Sequence, residues 1–562
     1  MQDLNKTSLF PSTFITWQNK YRKAIIFTFF GLYFITGCII YNDYGISWDE
    51  SISRYNGIVT LKYLITKVNP ELIINNASLQ GIPNLHEWKD KDYGVVFEVP
   101  LVILENVFGI KNNYSPELYY LRHFCTFLFF YLGVVHLFLL IQFRFNSWHL
   151  GMLGCLLFIL SPRIFADSFY NDKDIVLLSA FIITSYYLLR YLSNKSFWNA
   201  FWLGISMAVT INIRITGIVI PAIAFTFILI DIIKLYPDVK KINQSLSSAL
   251  LLLITLITFT IIFWPYLWEN PLQNFLQAFH NMSKFRWHNH VLYAGEFIWA
   301  ANVPWHYIPV WIAITTPVVY LIFFITGLIP IFIHLWQVKL YLYKNEPQRQ
   351  DLVITSLFFG PLLAVIVMDS VLYDAWRQMF FLYGSFIYIA IRGVVYVKES
   401  AARHKILRID TLYTYVLGAI VAFSLIHTTY FMVKYHPHQN VYFNFLAGNN
   451  PGENFERDYW GLSYRQGLEY IIENDKRETI TVTANMLASG RTNIRILPEE
   501  MQKRLNFSNS KDTSDYFLTE HRFTGGYKWY PDENKFEEIH SIIVDNIKIM
   551  SIYKAKSLSL TN

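Results

Sequence analysis

A chain of 562 residues in which 53% of side chains are hydrophobic and only 16% are charged is not an ordinary soluble protein, whose composition holds roughly a quarter charged residues. The net charge of +6 does not point to nucleic acid, because the Lys and Arg residues are spread through short loops and form no basic stripe for a phosphate backbone. A mean hydropathy of +0.28 and 18% aromatic residues instead describe many lipid-facing surfaces bounded by interfacial aromatic belts.

The first apolar run, 24–41, follows mostly polar residues and precedes no small-residue cleavage site, so it reads as a retained anchor. Ten further segments meet or approach the ~20 apolar residues that a span requires. They are 124–143, 150–166, 175–192, 197–213, 215–230, 246–268, 308–334, 352–368, 378–391 and 411–433. Lys20, Arg22 and Lys23 precede the first span, and short cytoplasmic loops are enriched in such residues. Alternating spans then place Arg144, Arg190, Lys195, Lys234, Lys241, Lys339, Arg349, Arg392 and Lys398 on the same, inner side. That pattern leaves three segments outside: loops at 42–117 and 267–306, and everything from 434 onward. Cys38, Cys125 and Cys155 lie in apolar runs, where a thiol acts as a small hydrophobe and no metal-ligand spacing exists.

Beyond residue 434 the pattern changes. An amphipathic helix is expected at 464–473, a strand at 479–483, a second helix at 498–505 and a hairpin at 541–553 turning near Asp545 and Asn546. The expected fold class is therefore an all-α polytopic membrane protein of about eleven spans with a small C-terminal α/β domain. Residues 1–433 form the membrane domain and 434–562 the extracytoplasmic one, in the inner (cytoplasmic) membrane of a cell with the N-terminus inside.

Four groups of charged residues are not explained by this plan. GISWDESISRYNG sets Asp49 and Glu50 directly after the first span, where one carboxylate can act as general base for a hydroxyl and its neighbour can orient it. A solvated acidic turn accounts for the pair equally simply. Glu98 sits in an apolar run, DYGVVFEVP, where an unpaired carboxylate costs several kcal/mol; a snorkelling interfacial Glu is the plain alternative. SPRIFADSFYNDKD packs Arg163, Asp167, Asp172, Lys173 and Asp174 between two spans. Cations there can hold phosphate oxygens, and carboxylates can recruit a divalent metal or bind sugar hydroxyls, although an ion-pair network capping helix ends needs the same residues. Arg214 in INIRITG and Arg377 in LYDAWRQMFF interrupt apolar runs, and intramembrane arginines face a cavity or a partner. The loop from Trp264 to His290, with His280, Lys284, Arg286 and His288 among bulky aromatics, suits an amphipathic helix roofing a cavity. Walker, GxGxxG, GxSxG and HExxH signatures are absent, so no nucleotide cofactor is expected.

Taken together these residues resemble the GT-C superfamily of membrane glycosyltransferases, in the branch of protein O-mannosyltransferases and bacterial aminoarabinose transferases. The resemblance rests on Asp49-Glu50 as the first-loop acidic pair, Phe97-Glu98-Val99-Pro100 as the FE-x-P segment, and Asn171-Asp172-Lys173-Asp174-Ile175 as the acidic end of the second outer hairpin. YHPHQNVYFNFLAG and FERDYWG, at 435–448 and 455–461, also look like bacterial members. Val99 stands where the aminoarabinose transferases carry Lys, so the likeness does not extend to that donor, and the C-terminal region lacks the repeats of eukaryotic mannosyltransferases.

The resemblance implies an inverting transfer of a sugar from a polyprenyl-phosphate carrier to a hydroxyl acceptor at the outer face. Membrane lipids surround the enzyme, a divalent metal of unknown identity is a candidate cofactor, and no nucleic acid takes part. Asp49 is then the base with Glu50 in support; Arg163, Lys173, Arg214 and Arg377 compete for the donor phosphate; and Glu98, Asp172 and Asp174 bind a metal or sugar hydroxyls. Many spans and buried charges also describe a transporter or flippase, or an inert assembly factor, although neither an inverted repeat nor paired broken helices is visible.

Overall fold

The computed structural model describes residues 20–71, 77–110, 115–283, 285, 287–403, 409–511, 513–522 and 530–556. Lys284 and Arg286 lie outside this set.

Nine helices in the described residues are long and apolar enough to cross a bilayer: 22–40, 116–145, 174–193, 215–235, 239–263, 318–341, 346–367, 377–401 and 415–434. The run expected as one span at 150–166 is a pair of helices, Trp148–Ile159 and Pro162–Tyr170, bent by 73° at Ser161. Pro162 cannot donate the hydrogen bond that would carry the first helix through. Phe197–Ile213, at 17 residues, is the remaining apolar helix. The run at 308–334 also divides, into Tyr307–Thr315 and Val318–Val338, at Pro317. The chain is thus a polytopic, mainly helical membrane protein. Asp174–Ser193 is its central mast, 78% buried against Pro116–Phe145 and Phe197–Ile213. Arg22–Ile40 is only 17% buried and presents Phe27, Leu32 and Ile39 outward, as a lipid-facing helix must.

Close backbone approaches fix the bundle. A Cβ on Gly327 would strike the carbonyl of Ile389, and one on Gly393 that of Phe323, so only glycine lets these two helices cross at backbone contact. Gly94 meets the Asn212 carbonyl in the same way and pins the 42–117 segment beside Arg214. That segment is more structured than a loop. Glu50–Val68 is a helix whose apolar and polar residues are mixed around it with no apolar stripe to betray it, and Glu98–Val107 is a second, with Glu98 in its first turn.

The C-terminal region holds a mixed five-stranded sheet ordered β4-β3-β5-β7-β6, with β3 Ile480–Ala484, β4 Leu505–Phe507, β5 Tyr516–Thr519, β6 Phe536–Val544 and β7 Ile547–Ala555. β3 runs parallel to β4 and β5, while β7 is antiparallel to β5 and β6. Asp545 and Asn546 turn the final hairpin at φ 47° and 66°, the left-handed pair that a tight two-residue turn requires. Helix Ser463–Asn474 covers β7. The expected helix at 498–505 is Glu499–Arg504; Leu505 opens β4. A short hairpin, β1 His290–Tyr293 and β2 Glu296–Trp299, was not foreseen.

The three segments expected on one side meet. Tyr293 bridges Phe455, Gly295 N–H donates to the Asn454 carbonyl at 3.0 Å, Ile46 N–H donates to Asn493 Oδ1 at 2.8 Å, and Arg465 donates to the Tyr44 carbonyl at 2.9 Å.

Candidate active site

At the junction of these segments Arg377 is the hub. Its Nη1 donates to Asp49 at 3.0 Å and to Asp174 at 3.1 Å, and its Nη2 to Asp374 at 3.1 Å. Each carboxylate comes from a different part of the chain: Asp49 just before helix Glu50–Val68, Asp174 at the first turn of the central mast, and Asp374 from a turn. Asp374 and Ala375 have φ of 55° and 61°. Non-glycine residues enter that region at a cost of about 1–2 kcal/mol each, here where Asp374 is fully buried and holds two guanidinium groups. The second is Arg522, which also donates to the Tyr459 carbonyl at 2.7 Å. Arg214 pairs with the other oxygen of Asp174.

Three cations near the hub lie against aromatic rings. Arg377 is 4.5 Å from the Trp460 centroid and 5.1 Å from that of Tyr373; Lys173 is 4.9 Å from Tyr93, and Arg522 is 5.2 Å from Trp48. Such placement holds a cation without neutralising it. Four cations (Lys173, Arg214, Arg377, Arg522) face three aspartates (Asp49, Asp174, Asp374), an excess of one positive charge. Two further acids add nothing at neutral pH. Burial, then the nearby Asp374 charge, pushes Glu456 up to about 8, and burial raises Glu520 to about 8. The Nε of Arg377 is buried with no hydrogen-bond partner among the described residues, an uncommon state for a guanidinium.

Asp49 is the accessible carboxylate of the hub. Its side chain is 17% exposed against 1% for Asp174 and 0% for Asp374. Burial alone would raise its pKa, but the charges of Arg377, Lys173 and Arg214 and the Arg377 hydrogen bond outweigh it, so Asp49 lies below the usual carboxylate value. Glu50 is shifted the other way. Burial raises it despite Ser47 N–H donating at 2.7 Å and His123 Nε2 standing 3.1 Å from its other oxygen, an ion contact by distance whose angle falls short of a hydrogen bond. Adjacent carboxyls with pKa values pushed apart have separate roles.

A second guanidinium hub stands behind the first. Arg122 is paired with Glu98, with Glu105 at 3.3 Å and with Asp172 at 3.1 Å. Ser53 Oγ donates to Asp172 at 3.0 Å, and Arg54 binds Glu105 at 2.8 Å. Glu98 and Asp172 are therefore brought together, but on Arg122 and away from Asp174. Arg163 joins neither hub. Its guanidinium lies among Trp311, Phe443 and Tyr459 and donates to the Tyr442 carbonyl at 3.4 Å.

The expectation of a metal held by Glu98, Asp172 and Asp174 does not fit this arrangement. Each carboxylate is already matched to an arginine, and Asp174 belongs to a different hub from the other two. Among the described residues no three His, Cys, Asp or Glu side chains are grouped to hold a metal. His280, His288 and His290 do not converge either: His280 lies on helix Pro271–Ser283 and His290 begins β1.

Arg122, Glu105 and Arg522 escaped sequence reasoning, and Glu456 and Trp460 stood in the FERDYWG run without a role. Arg122 had a visible signal, a cation inside a 30-residue apolar helix, but a span begun at residue 124 excluded it. Arg522 carries no local signal, because only the docking of the C-terminal region delivers it.

Residues 122–264 match the family model for dolichyl-phosphate-mannose-protein mannosyltransferases. The matched segment is the middle of the chain. It contains Arg122, Arg163, Asp172, Lys173, Asp174 and Arg214, while Asp49, Glu98, Arg377 and Arg522 lie outside it. No curated protein matches the sequence. Among solved structures, ArnT from Cupriavidus metallidurans bound to undecaprenyl phosphate is 10% identical, with 93% of this chain and 97% of that one covered and a TM-score of 0.46. The Archaeoglobus fulgidus oligosaccharyltransferase in its apo form is 12% identical at a TM-score of 0.43. That alignment takes in 74% of this chain and only 56% of the archaeal one.

Proposed function

We propose that this protein is an inverting glycosyltransferase that moves a sugar from a polyprenyl-phosphate carrier to a hydroxyl acceptor at the outer face of the membrane, with residues 434–562 as an extracytoplasmic domain that completes the site. The observation that carries this reading is Arg377 bridging Asp49 to Asp174 amid an excess of cations. One accessible carboxylate stands beside a pocket of positive charge, as displacement of a sugar from phosphate requires.

In that displacement the acceptor oxygen attacks the anomeric carbon as the bond to the phosphate oxygen breaks. Asp49 takes the hydroxyl proton, and the electron pair leaves with the phosphate. Phosphate is a good leaving group, so no strong general acid is needed; Arg377, Arg214 and Lys173 receive the departing charge. The ionised state of Asp49 at neutral pH suits a base or an acceptor-orienting group. Glu50, sealed against His123, holds the turn that presents Asp49. Asp174 and Asp374 are positioning residues acting through Arg377, and Glu98 and Asp172 brace helix Glu98–Val107 through Arg122. Transport remains a rival because it too uses buried charge.

Purified protein supplied with a radiolabelled pool of polyprenyl-phosphate sugars separates these readings. Transfer that disappears in Asp49→Asn while the variant keeps the wild-type melting temperature supports the enzyme. Labelled lipid that crosses a vesicle bilayer with no sugar released from it supports the transporter.

A further inference from the structure

Asp167 lies in the charge-dense run Ser161–Asp174 yet belongs to neither arginine hub. It sits on helix Pro162–Tyr170 and is 0% exposed. Its hydrogen-bond partners are neutral: Oδ1 accepts from Asn171 Nδ2 at 2.9 Å and from Trp460 Nε1 at 3.0 Å, and Oδ2 accepts the Tyr170 hydroxyl at 3.3 Å. The ion pairs of Asp172 and Asp174 have no counterpart at Asp167 among the described residues. Arg163, one turn earlier on the same helix, adds a favourable charge at longer range. A buried carboxylate met by neutral donors is costly, so its use lies in the donors it fixes.

Two of those donors lead to Arg377. Trp460 presents its ring 4.5 Å from the Arg377 guanidinium. An indole has a single donor, so its bond to Asp167, with the Tyr170 ring edge-on at 6.1 Å, fixes the plane on which Arg377 lies. Asn171 works from the other side. Its Oδ1 accepts the Asp174 N–H at 2.9 Å and its Nδ2 donates to Asp174 Oδ2 at 3.4 Å, the same oxygen that receives Arg377 Nη1 at 3.1 Å. Asp167, Asn171, Asp174, Arg377 and Trp460 thus close a ring of contacts in which no member is more than 2% exposed.

We propose that Asp167 is a positioning residue of the Arg377 site, fixing the guanidinium through Trp460 and the Asp174 carboxylate through Asn171 in the arrangement that receives a lipid-linked phosphate; this builds on the reading of that hub as the donor-phosphate site. Fully buried, Asp167 touches no substrate, and what it supplies is geometry rather than charge. In Asp167→Asn the new Oδ1 still accepts from Trp460 and Asn171, and the Tyr170 hydroxyl, which can donate or accept, turns to the amide. Asp167→Ala frees both donors. Trp460→Phe keeps an aromatic face and removes the N–H that orients it.

The test is the dissociation constant of undecaprenyl phosphate, a carrier lipid with no sugar attached, measured on folded full-length protein in detergent, where a loss of stability alone does not move it. Asp167→Ala is expected to weaken binding about tenfold, the worth of a buried cation–π contact. Trp460→Phe is expected to weaken it about fivefold, and the two together no more than Asp167→Ala alone, because they break one ring. Asp167→Asn, which keeps both acceptor bonds, should bind within about twofold of wild type. Wild-type affinity in folded Asp167→Ala or Trp460→Phe protein, losses that multiply in the double variant, or an Asp167→Asn protein as weak as Asp167→Ala would each overturn the proposal. Wild type that binds the lipid and transfers no sugar would overturn the transferase reading alone; wild type that does not bind it would overturn both.

Discussion

Two buried arginines in this protein each hold three carboxylates, and they differ in what surrounds them. Arg377 gathers Asp49, Asp174 and Asp374, and further cations crowd the same carboxylates: Arg214, Arg522 and, nearby, Lys173. Arg122 gathers Glu98, Glu105 and Asp172, with Arg54 the one further cation paired to them among the described residues. At the first hub Asp49 reaches solvent; at the second no carboxylate side chain is more than 7% exposed. An excess of positive charge with an open carboxylate is poised for an anionic ligand. An excess of negative charge sealed from water is a brace, in which a proton rather than a ligand balances the charge. Glu98 accordingly is pushed up, chiefly by burial.

The contrast is broken most severely at the brace. Arg122→Ala leaves Glu98 and Asp172 buried without their arginine and Glu105 with Arg54 alone, and is expected to cost about 3–5 kcal/mol, the usual penalty for removing one partner of a buried pair. The readout is loss of folded protein in detergent, with activity lost only in proportion. Arg377→Lys keeps a charge but cannot reach three carboxylates through a planar fork. It is expected to lower sugar transfer about a hundredfold or more with a much smaller loss of thermal stability, and equal losses in both would erase the distinction between the hubs.

A pH profile gives an intermediate effect. Asp49 has a folded pKa below its unfolded value of about 3.9, so its ion pair is fully formed above that value and is lost as pH falls through the folded pKa. The acid limb of transfer should therefore lie below about pH 4, in protein that remains folded. Glu456 is shifted the opposite way, to about 8. Its burial destabilises the fold progressively as pH rises from the unfolded carboxylate range toward 8, and its ionisation there cancels the positive excess. Transfer should fall near pH 8, and Glu456→Gln should move that limb upward. The smallest effect is expected at Arg163, which lies outside both hubs: Arg163→Lys should change transfer less than about tenfold, and a larger loss would return it to the phosphate site.

Much of this was legible in the sequence for a physical reason. Hydrophobic length identifies spans because a bilayer accepts only helices and closed barrels, and the three segments expected on one side do meet. Arg214 and Arg377 were singled out because charge in apolar surroundings is costly, Asp49 as half of an acidic pair after the first span, and Lys173 and Asp174 for the density of mixed charge in a short hairpin, and the structure gathers all five. What was hidden depended on tertiary contact. Helix Glu50–Val68 has its apolar residues spread around it and docks on helix Glu98–Val107, so no periodicity announced it. Asp172 and Asp174 are two residues apart, and only the start of a helix between them sends one to Arg122 and the other to Arg377. Arg522 reaches Asp374 across 148 residues, a pairing no local pattern encodes.

The central claim is that the cations around Arg377 receive a lipid-linked phosphate beside Asp49. A structure of the full chain with a bound polyprenyl phosphate tests it most directly. The expected result is phosphate oxygens at about 3 Å from two or more of Arg377, Arg214 and Lys173, with Asp49 facing the open side. A phosphate seated on Arg163, or any position that leaves the Arg377 hub empty of ligand, would contradict the account.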